Sequence, residues 1–170
     1  MRRCPQKSSV FSPVSLKKRR AFYLTNIRLT ARNCMSDRIF ADTNVLVYSI
    51  ADDQQKRATA EQVLLDNDIV VSPQVINEFI SVTLRKRILP SEQVVSYAAK
   101  FMQVFEVTAM TKQTITAALD VMNRYQLSYW DSLIVAAALE SDCTYLYTED
   151  LQNGQKIEEQ LVIFNPFIPA

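Results

Sequence analysis

Beyond residue 37, short apolar runs alternate with longer stretches in which apolar side chains recur at helical spacing. IFAD (39–42), DIVVS (68–72), FEVTAMT (105–111), CTYLYTED (143–150) and LVIFN (161–165) read as strands. The first two are nearly continuous apolar runs, the pattern of strands covered on both faces. NVLVYSI (44–50) reads as a short helix or a continuing apolar segment. Residues 54–67 place Ala58, Val63, Leu64 and Leu65 among charges, as an amphipathic helix does. Ser72-Pro73 supplies an N-cap and a proline at the first helical position, opening a helix to about Arg87. Pro90-Ser91 opens another to about Phe105, and residues 112–125 form the next. YWDSLIVAAALES (129–141) is apolar almost all round, as expected of a helix buried between layers. Five strands separated by helices predict a three-layer α/β/α domain around a mainly parallel five-stranded sheet.

Composition narrows the chemistry. The 170-residue chain is 48% hydrophobic, enough for one good core. It holds no run of about 18 apolar residues, so no membrane span is expected. There is no histidine, and the sole glycine is Gly154. A Ser-His-Asp or Cys-His set, an imidazole metal ligand, a Walker A loop and a dinucleotide-binding fingerprint are thereby excluded. Cys4, Cys34 and Cys143 are odd in number and lack metal spacing, which suits a reducing cytoplasm.

Charge divides the chain in two. Residues 1–36 carry nine Lys or Arg and no acid; the rest carry ten against 18 acidic residues, a net of −8. The basic segment has no clear period and is expected to be poorly ordered. It reads as a nucleic-acid-binding arm, as a transit peptide, or as a stretch foreign to a domain that begins near Met35-Ser36-Asp37. The domain proper is placed at 37–170.

In an open parallel sheet, ligands bind beyond the carboxyl ends of the strands. Asp42 ends the first strand and Glu149-Asp150 ends CTYLYT, on the same rim. Glu78 borders the apolar face of the helix after strand two, and Asp131 opens the buried helix. Singly, each has an ordinary use. Asp42 can cap the next helix, Ser128 and Asp131 fit a capping box, and Glu78 and Glu149-Asp150 can be solvated. Converging on one rim, they would repel one another unless a cation neutralised them. All-oxygen ligation without His or Cys selects Mg²⁺ or Mn²⁺.

ADTNVLVYSI with Asp42, VSPQVINEFISV with Glu78, LSYWDSLIVAAAL with Asp131 and YLYTEDLQNGQ with Asp150, in that order, resemble a PIN domain, the small metal-dependent ribonuclease fold. The resemblance is strongest to VapC-type toxins of toxin–antitoxin pairs and covers Asp37 to about Phe167. It implies that Asp42, Glu78, Asp131 and Asp150 are both metal ligands and catalytic residues, with Thr43, Asn44 and Thr148 in support. Glu149 remains the alternative to Asp150, because many members continue this segment with Asp-Phe where LQNGQ stands here. The implied function is Mg²⁺- or Mn²⁺-dependent endoribonuclease cleavage of RNA, with a cognate antitoxin partner and homodimerisation. Arg85, Lys86, Arg87 and the pair Lys56-Arg57 are candidate RNA contacts. The rival reading is a PIN-fold binding module without catalysis. A dehalogenase-like phosphotransfer fold also places Asp after strand one, but DTN lacks its second acid.

Overall fold

The computed structural model of the protein describes residues 37–168. The basic segment 1–36, and the expectation that it is poorly ordered, lie outside the described residues. In chain order the elements are β1 (Arg38–Ala41), α1 (Thr43–Tyr48), α2 (Gln54–Asp66), β2 (Asp68–Val71), α3 (Pro73–Arg85), α4 (Ser91–Val104), β3 (Glu106–Val107), α5 (Lys112–Tyr125), α6 (Tyr129–Glu140), β4 (Tyr145–Tyr147), β5 (Lys156–Ile157) and β6 (Leu161–Phe164).

Among the described residues the strands form one sheet in the order β3-β2-β1-β4-β6-β5. β1 lies at its centre, parallel to β2 and β4; β2–β3 and β4–β6 are also parallel. Its Ile39, Phe40 and Ala41 have no exposure, because neighbours on both edges take up the backbone groups and layers on both faces cover the side chains. Crossovers carry the chain from β1 outward to β2 and β3, then back across to β4 on the other side of β1. Strand order therefore reverses between β1 and β4, and a crevice opens beyond their carboxyl ends.

The sheet has six strands where the sequence pattern predicts five. The additional strand, β5, pairs antiparallel with β6 through Lys156↔Val162 and Ile157↔Leu161. Its turn carries Glu158 and Glu159 at φ 50° and 62°, with Gln160 N donating to Ile157 O. Two consecutive positive φ angles mark a type I′ hairpin, which ordinarily announces itself by Asn-Gly. Glu-Glu gives no such signal. The stretch read as a strand over 105–111 shrinks to the two exposed residues of β3 at the sheet edge.

The helices anchor where the chain signals them. Ser72 Oγ accepts from Val75 N ahead of Pro73, and Thr111 with Thr114 forms a reciprocal capping box for α5. In α6 every residue from Ser132 to Ala138 is buried. Ala118 of α5 meets Leu133 and Ala136 of α6 in a small apolar cluster of its own, while the main core gathers on β1, β2, β4 and β6.

Candidate metal and catalytic site

Asp42 is the hinge between β1 and α1. Its N–H makes the last ladder bond, to Tyr147 O of β4 at 3.0 Å, and its extended backbone then caps α1. Asp42 Oδ1 accepts from Thr43 N at 2.6 Å; Oδ2 accepts from Thr148 Oγ1 at 2.7 Å and Asn44 Nδ2 at 3.0 Å. The carboxylate is thus a helix cap and a buried polar centre at once, with 7% of the residue exposed.

Thr43, Asn44 and Thr148 tie the acids together. Thr43 Oγ1 donates to Glu78 Oε2 at 2.8 Å, connecting α1 to α3. The Asn44 amide donates to Asp42, to Thr148 Oγ1 at 3.3 Å and to Asp150 Oδ2 at 3.4 Å. Thr148 Oγ1 accepts from Asp150 N at 3.1 Å while donating to Asp42. Burial pushes the Asp42 carboxyl up; the hydrogen bonds from Thr148 and Thr43 pull it down, and the charges of Asp150 and Glu78 push it up again, leaving it at about 6. Asp42, Glu78 and Asp150 therefore share one electrostatic neighbourhood.

Asp131 is bonded within its own helix cap. Ser128 Oγ accepts from Asp131 N at 3.1 Å and donates to its Oδ2 at 2.7 Å, the capping arrangement at the start of α6. Its link to the other acids runs through a residue the sequence reading passed over. Gln74 Nε2, buried with 9% of its residue exposed, donates to Glu78 Oε1 at 3.4 Å and to the carbonyl of Trp130 at 3.3 Å. Gln74 lies four residues before Glu78, on the same helix face, and that spacing was the available signal.

The choice between Glu149 and Asp150 has a structural basis. Glu149 Oε2 meets Lys56 Nζ at 2.8 Å, and its Oε1 accepts from Tyr48 Oη. Lys56 also lies over the Tyr48 ring, 4.1 Å from its centroid. Burial pushes the Glu149 carboxyl up, but the Lys56 and Tyr48 hydrogen bonds outweigh it and leave the group below its ordinary value. Glu149 is a fastening between β4, α1 and α2; Asp150 is exposed and turned to Asn44. The same fastening engages Lys56, and Arg57 donates to Ala51 O and lies 3.7 Å from Asp52. Arg85, Lys86 and Arg87 are exposed at the end of α3, and the charge of Lys86 reaches Glu149.

The donor set fits a hard divalent cation in kind: carboxylate oxygens that repel one another, and beside them Asn44 Oδ1, buried without a partner among the described residues. Among the described residues no three acidic, Cys or His side chains are drawn together as a metal-holding group. The relation among the acids is one of shared field and shared hydrogen-bond donors.

The profile of the PIN domain family matches residues 39–154, more than half the chain. The chain belongs to the PIN domain family. Solved PIN-like structures share its fold at low identity. A Mycobacterium tuberculosis VapC20 toxin, described as cleaving the sarcin-ricin loop, superposes with a TM-score of 0.56 at 18% identity, covering 66% of this chain and 89% of that one. VapBC2 from Rickettsia felis, bound to a DNA fragment from its promoter, gives 0.57 at 19%, covering 75% and 98%. A toxin–antitoxin complex from Klebsiella pneumoniae gives 0.58 at 16%, covering 75% and 97%. No curated protein sequence matches the chain. In this PIN domain the segment from β1 to the loop after β4 contains Asp42, Glu78, Asp131, Glu149 and Asp150.

Proposed function

We propose that the protein is a metal-dependent endoribonuclease, acting as the toxin of a toxin–antitoxin pair. The observation that carries this is Asp42: a buried carboxylate at the reversal of strand order, pushed up to about 6 by burial and by Asp150 and Glu78. A PIN domain that keeps mutually repelling acids at this rim keeps them for a cation.

Asp42, Glu78, Asp131 and Asp150 would hold Mg²⁺ or Mn²⁺. When bound, the ion supplies a water of lowered pKa and neutralises charge at a phosphodiester. The chain's own contribution is placement. Thr43 N, Asn44 and Thr148 fix both oxygens of Asp42, Thr43 Oγ1 aims Glu78, and Asn44 holds Asp150 beside them. These restraints keep the carboxylates in one orientation, so that little reorganisation is needed when RNA arrives. The exposed Arg85, Lys86 and Arg87 offer phosphate contacts that offset the repulsion of the acidic rim.

The VapBC2 and Klebsiella structures are toxin–antitoxin assemblies, which supports a small antitoxin as partner here; a homodimer of this chain is part of the same proposal. No described helix is long and apolar enough to cross a membrane; a cytoplasmic location is part of the proposal. A catalytically silent PIN-fold binding module is the second reading, favoured by the lack of a three-acid group among the described residues. Incubating the purified protein with total RNA in Mg²⁺ and in EDTA separates the two: cleavage only with Mg²⁺ supports the nuclease, and intact RNA in both supports the binding module. Expression without its antitoxin should slow growth of the host; normal growth with a soluble, active enzyme contradicts the toxin assignment and leaves the nuclease standing.

A further inference from the structure

A cavity of about 480 Å³ opens beside Glu78, lined by Pro73, Gln74, Asn77, Glu78, Met110 and Trp130. Its size falls within the roughly 300–1,000 Å³ of small-ligand pockets. Two of its walls lack what such side chains ordinarily have. Gln74 is nine-tenths buried, yet among the described residues its Oε1 has no hydrogen-bond partner. The amide cannot be turned over to relieve this, because its Nε2 faces two acceptors, Glu78 Oε1 and the Trp130 carbonyl. Among the described residues this buried acceptor is therefore left without a donor. Trp130, for its part, is 61% exposed although its backbone is held by Gln74 and its ring lies 5.3 Å from that of Tyr129. A large indole face is thus presented by an anchored residue.

We propose that this cavity is a nucleobase pocket, in which one base of the substrate RNA stacks on Trp130 and donates an N–H to Gln74 Oε1. The inference rests on the ribonuclease reading for its substrate class. The chemistry selects a planar aromatic group with an N–H on its edge: a π-face for the indole, a donor for an amide oxygen, and no negative charge beside Glu78. Nucleobases meet all three conditions. The pocket adjoins the rim directly, since Glu78 lines it with Oε1 toward Gln74 while Oε2 is bonded to Thr43, the neighbour of Asp42. A base seated there places its own phosphate at the acids. Adenine, cytosine, guanine and uracil all carry a suitable N–H, so Gln74 excludes bases without a donor, and stacking area sets the preference among the rest.

Trp130 is the only tryptophan in the sequence, so the indole N–H gives a single resonance that reports on the pocket whether or not the enzyme is loaded with metal. The probes are adenosine and purine riboside, which differ by the 6-amino donor and carry no phosphate for the acids to repel. Adenosine should shift the Trp130 resonance saturably and bind roughly 2- to 12-fold more tightly than purine riboside, the range of one neutral hydrogen bond. Gln74→Met should erase that preference while both nucleosides still shift the resonance. A merely structural Gln74 would alter both affinities alike and keep the preference, overturning the proposal. In cleavage, Trp130→Ala should lower kcat/KM by roughly 5- to 150-fold, the range for losing one stacked base. RNA cleavage with an unmoved Trp130 resonance overturns the pocket and leaves the nuclease standing. A moved resonance without cleavage keeps the pocket and overturns the nuclease. A resonance that responds to protein concentration and not to nucleoside assigns the cavity to a second copy of the chain, and overturns the proposal.

Discussion

Thr148 Oγ1 donates to Asp42 Oδ2 across 2.7 Å, joining residues 106 positions apart at the carboxyl ends of β4 and β1. Thr148 is 1% exposed, so the bond is shielded from water and bears on a carboxylate already raised by burial. Thr148→Val removes it with little change of shape. We expect the Asp42 pKa to rise further and the protein to lose about 1.5–3 kcal/mol, the range for a hydrogen bond to a charged group. Urea unfolding at pH 7 measures the loss; an unchanged midpoint would show that the bond does not hold Asp42.

Asp42 also sets a pH dependence. Its folded pKa of about 6 lies above its ordinary 3.8, so between those values the folded state binds more protons than the unfolded one. Without metal, this group's contribution to stability falls as pH rises from about 4 to about 6, by up to about 3 kcal/mol. Asp42→Asn cannot ionise and should lack that decline. Urea midpoints of both proteins in EDTA across pH 4–7 give the difference directly. Parallel curves would mean that Asp42 ionises in the folded protein as freely as in water.

How much of this was legible in the chain follows from what each feature depends on. The central strands were readable because burial on both faces leaves continuous apolar runs, as in Ile39-Phe40-Ala41 and Ile69-Val70-Val71. β5 was not, because two residues and a Glu-Glu turn carry no periodic or turn signal. Asp42 and the Glu149-Asp150 pair could be placed at the ends of adjacent strands from the strand pattern alone. Their partners could not: the fastening of Glu149 by Lys56 joins residues 93 apart, and nothing local in Thr-Glu-Asp says which of two adjacent acids is tied back. Asp131 shows the limit most plainly. Its position at the head of α6 served two readings, and the structure displays the capping bonds with Ser128.

The adjacent acids after β4 should separate by phenotype. Glu149→Gln loosens the Lys56 and Tyr48 contacts, costing at most about 1 kcal/mol for a partly exposed pair, and should leave cleavage near wild type. Asp150→Asn should leave stability near wild type and cut cleavage by more than the about 10–100-fold that losing a mere support of a metal ligand costs. Unfolding and RNA cleavage measured on both variants decide the matter. The opposite pattern would make Glu149 the ligand.

Asp131→Asn should weaken the α6 cap by about 0.5–1 kcal/mol in EDTA, since the charge at the helix N-terminus and the full acceptor for Ser128 are both reduced. If Asp131 also ligates the cation, the stabilisation by Mg²⁺ shrinks in this variant. Melts in EDTA and in Mg²⁺ read the two effects separately. A full Mg²⁺ response would confine Asp131 to capping.

The central claim is that the carboxylates around Asp42 hold a divalent cation, and the most direct measurement is the Mg²⁺-induced change in thermal midpoint of wild type against Asp42→Asn. A cation that binds only the folded site stabilises it by about 2.7 kcal/mol at a concentration 100 times its Kd, roughly 5–10 °C for a domain of this size. Wild type should show that rise and Asp42→Asn should show little or none. An equal Mg²⁺ response in both proteins, or none in wild type, would contradict the account.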